Sequence, residues 1–153
     1  MKKQLLAVAV LALAAGTASA QANDTLAKIK SSGTVNLGVR DSSGLAFTIG
    51  GGKYVGFHTE MAEHIVEDLK KVTGNPNLKI NYQVITSQNR IPLLQNGTID
   101  FECGSTTNNA GRQKDAAFAV TTFVDEVRTA VKANSGIKSV ADLNGKTVVA
   151  ALA

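Results

Sequence analysis

The sequence predicts an α/β domain built on a mostly parallel sheet with helices on both faces. Alternating apolar residues indicate strands at 34–39 and 78–85, and a helical pattern at 59–72 lies between them. A second helical segment at 88–96 leads through a turn to a short strand at 99–102. Elements that alternate in this order build parallel sheets through right-handed crossovers.

Caps and turn residues predict the elements around the first strand. Asp24 or Thr25 can cap a short helix that runs through Lys30 and ends at Gly33. The Ser- and Gly-rich segment 41–52 predicts a loop, which residues 54–57 can complete as a hairpin.

The helix at 59–72 is predicted to bury one apolar stripe and to end at Gly74. Ala62 and Val66 lie beside this stripe, whose members are Met61, Ile65, Leu69 and Val72. His58, at the N-terminal end of the helix, and His64, off the stripe, are both expected near solvent.

The last third of the chain indicates the opening of a second unit. Strands are predicted at 116–120, 126–132 and 147–150, with a linker at 134–136 and a short helix from the cap Ser139 to Leu143. A final strand without sheet partners cannot bury both faces. We therefore expect residues 21–132 to form a first lobe and residues 133–153 to form a hinge and the truncated start of a second lobe.

The first 20 residues have the pattern of a secretory signal peptide. Lys2 and Lys3 precede the apolar run 5–15 and the small residues 18–20, and that run is too short to span a bilayer. We expect cleavage before Gln21 and a periplasmic product. Cleavage would lower the formal net charge of +4 by two, and no basic run accompanies that charge, so nucleic acid is not an expected partner.

The single cysteine, Cys103, cannot form an internal disulfide. One interpretation makes it a small buried hydrophobe on a strand. The alternative is a bridge to a cysteine in a part of the protein outside this chain.

Polar side chains fall where two of the predicted strands end. Ser105, Thr107 and Arg112 follow the strand at 99–102, and the crevice beyond the carboxyl ends of parallel strands is where such folds bind ligands. A planar guanidinium with two hydroxyls suits an α-carboxylate. Upstream, Ser87 is predicted to cap the helix at 88–96, and Arg90 lies in its first turn, where a cation opposes the helix dipole.

Arginine placement points to a ligand with two carboxylates. Residues 21–153 contain four arginines, and Arg40, Arg90 and Arg112 follow predicted strands or begin helices. A ligand with one carboxylate would leave a cation unpaired, at a cost of roughly 3 to 5 kcal/mol in a closed cleft. Asp100 and Glu102 are expected to be structural, with at least one pointing inward or pairing with a lysine.

Segments 86–97 and 101–109 resemble the periplasmic solute-binding proteins of family 3, the polar amino-acid class, and in particular their members that bind acidic amino acids. Segment 142–146 is shared more widely. The resemblance implies a two-lobed protein that closes over L-glutamate or L-aspartate and delivers it to an inner-membrane ABC permease. It further implies that Ser105, Thr107 and Arg112 hold the α-carboxylate, and that Arg40, Ser87 and Arg90 hold the side-chain carboxylate.

Two departures from the family pattern accompany the resemblance. No acid follows the pair Gly56 and Phe57, and the chain ends at residues 151–153 where relatives continue with a Gly-Thr turn. The acceptor for the ligand's amino group is expected in the second lobe.

An enzyme on the same fold, a periplasmic dehydratase, is the alternative, and an inactive truncated product is a further one. The sequence contains no recognisable Ser/His/Asp set or metal-ligand cluster, and the glycines 50–52 lack the context of a phosphate-binding loop. We therefore expect a monomeric binding protein without cofactor, metal or catalytic residues.

Overall fold

The computed structural model describes residues 24–41 and 43–150. The predicted signal peptide at 1–20 and the chain end at 151–153 lie outside the described residues. The helices and strands are α1 (Thr25–Ser32), β1 (Thr34–Val39), β2 (Phe47–Gly50), β3 (Lys53–Val55), α2 (Phe57–Thr73), β4 (Lys79–Val84), α3 (Arg90–Gln95) and β5 (Phe101–Glu102).

The main sheet is parallel, as the sequence predicts, with strand order β4, β1, β5. Strand β1 is central and runs alongside β4 from the pair Thr34 and Lys79 to the pair Val39 and Val84. Its other edge pairs with β5. The predicted hairpin forms from β2 and β3, which are antiparallel. Since all three strands of the main sheet run the same way, their carboxyl ends meet at one edge.

Capping residues fix the ends of α1 and α2 as expected. The Asp24 side chain accepts a hydrogen bond from the Ala27 N–H at 2.9 Å, and Gly33 ends α1 in the left-handed region at φ 64°. Gly74 ends α2 in the same way at φ 69°. Glycine favours these positions because other L-residues are strained at positive φ.

The buried face of α2 is rotated from the predicted stripe. Ile65 and Val72 are 39% and 65% exposed, whereas the buried residues are His58, Thr59, Ala62, Val66 and Thr73. Small Ala62 packs on Leu37 and Val39, and a short side chain there lets the helix approach the sheet closely. The expectation that His58 faces solvent is also wrong, because that residue is 2% exposed. His64 is exposed, as expected.

The two faces of β1 have different neighbours because side chains alternate along a strand. Val35, Leu37 and Val39 belong to the core beneath α2. On the other face, a Cβ added to Gly38 would lie 2.9 Å from Ile99 Cδ1 and 3.2 Å from Glu102 Cβ. Glycine at this position therefore leaves room for Glu102, its register partner on β5.

The C-terminal segments do not form the predicted strands. Within the described part of the chain, residues 116–120, 126–132 and 147–150 have no regular structure. A strand needs a neighbouring strand for its backbone hydrogen bonds, and none of the described strands pairs with these segments. Val120 and Val127 are 84% and 101% exposed. The predicted short helix forms as a 3-10 turn, Val140–Leu143, with a capping box between Ser139 and Asp142.

Cys103 follows β5 directly and is half-buried against the core below α2. Burial raises the pKa of its thiol, and the Glu102 charge adds to this increase. Among the helices of residues 24–41 and 43–150, none is long and apolar enough to cross a membrane.

Candidate functional site

The carboxyl-terminal edge of the main sheet gathers the sequence-predicted site residues. Arg40 follows β1, Ser87 follows β4, and Ser105 and Thr107 follow β5. Ligands of open α/β sheets bind beyond this edge. Parallel strand directions therefore bring together residues that are far apart along the chain.

Ser87 joins two of the arginines. Its Oγ accepts hydrogen bonds from Arg40 Nη1 at 3.3 Å and from Arg90 Nη2 at 3.0 Å. Two guanidinium groups that converge on one hydroxyl make the local potential positive, and a positive potential attracts an anionic ligand.

The prediction that Ser87 caps α3 is wrong. The first turn closes earlier, where the Thr86 N–H donates to Asn89 Oδ1 at 2.7 Å and the Asn89 N–H donates to Thr86 Oγ1 at 3.2 Å. Helix α3 then begins at Arg90, two residues after the predicted start at 88. Because Thr86 and Asn89 satisfy each other, the Ser87 hydroxyl can bind the arginines.

Arg90 is completely buried, with no solvent exposure. Besides Ser87, its guanidinium donates from Nε to the Thr86 carbonyl at 3.2 Å and from Nη1 to Thr106 Oγ1. Burial lowers the pKa of Arg90, the Glu102 charge opposes that decrease, and the charges of Arg40 and Arg112 add to it. The three site arginines are thus close enough to act on one another.

Glu102 is the acidic partner of this group. Its Oε1 lies 3.9 Å from Arg90 Nη1, and its side chain is only 7% exposed. The Thr106 hydroxyl bridges the two by accepting from Arg90 and donating to Glu102. Sequence reasoning placed Glu102 among structural acids and did not single out Thr106. The available signal was a carboxylate at the end of a strand, followed by a run of hydroxyl residues.

Asp100 pairs with a lysine and points inward, which confirms the expectation for one of the two acids near Phe101. Its Oδ1 lies 2.7 Å from Lys28 Nζ, and its side chain is 1% exposed. Oδ2 accepts from the Asn36 backbone N–H at 2.7 Å. This acid therefore ties α1 to β1 and lies away from the arginines.

The second predicted cluster surrounds Arg112. Arg112 begins a 3-10 turn, and its Nη1 donates to the Thr107 carbonyl at 3.1 Å. The Arg112 N–H is held by Asn109 Oδ1 at 3.0 Å. Thr107 is exposed and Ser105 is half-buried. Thr107 and Arg112 are therefore neighbours at the same edge as Ser87.

Chemically, the edge offers hydroxyls and guanidinium groups, which are hydrogen-bond donors for carboxylates. Three guanidinium groups and one carboxylate carry a net charge of about +2. Among the described residues, no group of three or more His, Cys, Asp or Glu side chains could hold a metal ion. The donor set therefore suits a small anionic ligand.

Comparisons with known proteins identify the family of the chain. Residues 35–149 match the model of the bacterial extracellular solute-binding proteins, family 3. A glutamate/aspartate import solute-binding protein from Salmonella typhimurium is 46% identical over 97% of this chain and 51% of its own length. An L-glutamate/L-aspartate-binding protein from Pseudomonas aeruginosa is 45% identical over 95% of this chain and 49% of its own length.

A solved structure shares the fold. A mutant of the arginine-bound form of domain 1 from TmArgBP superposes with a TM-score of 0.51 at 25% identity, over 64% of this chain and 71% of that domain. The present chain spans about half the length of the curated relatives that it matches. On the match over residues 35–149, the chain belongs to the bacterial extracellular solute-binding proteins, family 3.

Proposed function

We propose that this chain is the first lobe of a periplasmic solute-binding protein that delivers L-glutamate or L-aspartate to an inner-membrane ABC permease. Residues 1–20 are its signal peptide, residues 21–132 the lobe, and residues 133–153 the hinge and the start of a second lobe. The protein works as a monomer and binds its ligand without cofactor or chemical turnover.

The observation that carries the proposal is the convergence of Arg40 and Arg90 on Ser87. A side-chain carboxylate that reaches Ser87 would meet the Arg40 guanidinium directly. It would also feel the Arg90 charge from behind the hydroxyl, since Arg90 is buried. An amide at the same place supplies no negative charge, so glutamine should bind less tightly.

The α-carboxylate is assigned to the neighbouring group. Ser105, Thr107 and Arg112 supply two hydroxyls and a guanidinium near the end of β5. Arg112 is already oriented by the Thr107 carbonyl, which reduces the conformational entropy that binding would cost. Two separate cationic groups thus match the two carboxylates of one acidic amino acid.

The comparisons support both the proposed ligand and the proposed first lobe. The curated relatives at 45% and 46% identity are named for glutamate and aspartate. The solved domain 1 of TmArgBP is described as arginine-bound, which supports a first lobe that carries ligand-binding groups. Closure of two lobes over a ligand is a common hinge motion.

Isothermal titration calorimetry on the full-length protein tests the proposal. We expect saturable heat with glutamate and aspartate, and binding of glutamine weaker by about two orders of magnitude, since glutamine loses a charge-assisted contact worth roughly 3 kcal/mol with Arg40. An Arg128→Ala variant is the control because Arg128 is exposed and pairs with the nearby Glu126. Absence of glutamate binding, or turnover of a carboxylated ring compound, would overturn the proposal.

A second titration uses residues 21–153 alone. We expect weak or undetectable amino-acid affinity, because the groups that hold the ligand's amino group are assigned to the second lobe. Submicromolar glutamate affinity in this fragment would contradict that assignment.

A further inference from the structure

Glu102 is a buried acid inside a cationic site. Its side chain is 7% exposed and lies 3.9 Å from a guanidinium that has no exposure. Its Oε2 atom is buried and has no hydrogen-bond partner among the described residues. A buried carboxylate oxygen without a hydrogen bond lowers the stability of the fold. Packing alone therefore does not explain why an acid occupies position 102.

The neighbours of Glu102 connect it to the proposed ligand position. Thr106 links its Oε1 to Arg90, and Arg90 in turn donates to Ser87. Ser87 therefore binds Nη2 of this guanidinium group, and Glu102 approaches the adjacent Nη1 through Thr106. A ligand carboxylate at Ser87 and the Glu102 carboxylate would share the same cation.

The negative charge of Glu102 offsets part of the positive charge of the site arginines. The charge of Glu102 acts on Arg90 from 3.9 Å, against the like charges of Arg40 and Arg112. It keeps the buried guanidinium compensated when no ligand is present. When a second carboxylate arrives at Ser87, the two acids repel, because Coulomb interactions over several ångströms remain substantial in a partly desolvated site.

We propose that Glu102 is a specificity-determining counter-charge, which sets how strongly the site favours a ligand with two carboxylates over one with a single carboxylate. The inference rests on the proposed function and adds a residue that does not touch the ligand. Glu102 stabilises the empty lobe, and it lowers the affinity for a side-chain carboxylate below the value that three uncompensated arginines would give.

A purely structural role makes the opposite prediction. If Glu102 served only to hold Thr106 and Arg90 in place, loss of its charge would disorder the arginines and weaken every ligand. A counter-charge role requires tighter binding of the dicarboxylate and little change for the monocarboxylate. The ratio of glutamate affinity to glutamine affinity therefore rises if Glu102 is a counter-charge and does not rise if its role is purely structural.

The test is Glu102→Gln in the full-length protein, with glutamate and glutamine as ligands in calorimetry. Glutamine at position 102 keeps the shape and the acceptor for Thr106 and removes the charge. We expect glutamate to bind roughly threefold to thirtyfold more tightly, the size of one partly screened Coulomb repulsion between two nearby carboxylates. Affinity for free glutamine should change less than threefold, so the glutamate-to-glutamine ratio should rise.

Thr106→Val is the matched control, because it removes the bridge and keeps the Glu102 charge. It should not raise the ratio. Glu102→Asp, which draws the carboxylate back from Arg90, should give an intermediate increase and serves if Glu102→Gln does not fold. An unchanged or lower ratio in the folded variant would overturn the inference while glutamate binding by the unaltered protein sustained the proposed function. Failure of the unaltered protein to bind glutamate would overturn both.

Discussion

A guanidinium group with no exposure must obtain its hydrogen bonds and its counter-charge from the protein. Arg90 obtains the bonds from Thr86, Ser87 and Thr106, and the charge from Glu102. A lone buried charge would cost several kcal/mol. The residues that prepare the site for an anion are therefore also part of what holds α3 to the end of β5.

Replacement of Arg90 tests this double role. Arg90→Leu should lower the free energy of unfolding by roughly 3 to 5 kcal/mol, because Glu102 is then a buried charge without its cationic partner. Urea unfolding followed by circular dichroism measures the change. Arg128→Leu, at a side chain 82% exposed, should cost less than about 0.5 kcal/mol. Addition of Glu102→Gln to Arg90→Leu should restore part of the loss, and a loss below about 1 kcal/mol would contradict the assignment.

His58 makes stability depend on pH. Burial lowers its pKa below 6.5, against the opposing effect of Glu102, and its Nε2 lies 3.1 Å from Thr122 Oγ1. The unfolded chain therefore binds a proton at higher pH than the folded protein does. Stability from this residue is complete above about pH 6.5 and is lost as the pH falls, by at most about 1.4 kcal/mol per pH unit.

Denaturant unfolding between pH 7 and pH 5 checks this dependence. His58→Gln should flatten the decline, whereas His64→Gln, at an exposed position of the same helix, should leave it intact. Equal slopes for the native protein and the His58 variant would show that other groups govern the acid response.

At the scale of elements, the start of α2 depends on one glycine. Gly56 has φ 117°, and a Cβ there would lie 2.6 Å from the Leu45 carbonyl oxygen. The same carbonyl accepts from the His58 N–H at 3.0 Å. Backbone strain and a backbone collision thus coincide at the point where the loop 43–46 meets the helix.

A matched pair of variants separates the collision from the strain. Gly52 also has a positive φ, at 73°, but nothing lies within 4 Å of its added Cβ. Gly56→Ala should therefore destabilise the lobe by at least about 2 kcal/mol more than Gly52→Ala, since overpacking against backbone adds to the conformational cost. Thermal unfolding measures the loss of stability in both variants. Similar losses would indicate that the loop 43–46 moves away from the added Cβ at little energetic cost.

Local sequence patterns predicted where the helices and strands begin and end better than they predicted which faces are buried. The bounds 34–39 are those of β1, and β4 is one residue shorter at each end than the predicted 78–85. Alternation and a terminal glycine are local signals. The buried face of α2 was missed because it depends on which helical side approaches β1. The absent C-terminal strands depend on partners elsewhere, which no local pattern reports.

The candidate site also contains features that the sequence predicts and features that it does not. Arg40, Ser87 and Arg90 could be grouped from the sequence because parallel strands bring their carboxyl ends together. The pairing of Glu102 with Arg90 could not be, since burial of a strand acid depends on a cation from another element. The prediction that Ser87 caps α3 was wrong because Thr86 and Asn89 form the hydrogen bonds that precede the helix.

At the scale of the whole molecule, the chain is about half the length of its curated relatives. Arg40, Arg90 and Arg112 lie beyond one edge of the main sheet, and we propose that a second lobe closes there. In such a cleft, interactions with the ligand gain strength as water is excluded. We therefore predict that charge selectivity belongs to the proposed two-lobed protein and resides in Arg40, Ser87 and Arg90.

Salt should weaken that selectivity. Exposed charges are screened within about 8 Å at physiological ionic strength and within about 3 Å at 1 M. Glutamate affinity should fall as sodium chloride rises, and glutamine affinity should fall less because it carries one carboxylate fewer. Calorimetry across a salt series measures both, and parallel curves would argue against two separate cationic groups.

The most direct measurement compares Arg40→Ala with Arg112→Ala in the full-length protein, titrated with glutamate and glutamine. We predict that Arg40→Ala lowers glutamate affinity by about 100-fold and leaves glutamine affinity nearly unchanged, as expected for a charge-assisted contact of roughly 3 kcal/mol. Arg112→Ala should weaken both ligands. Equal losses for both ligands in Arg40→Ala, or no loss at all, would contradict the assignment of a side-chain carboxylate to this group.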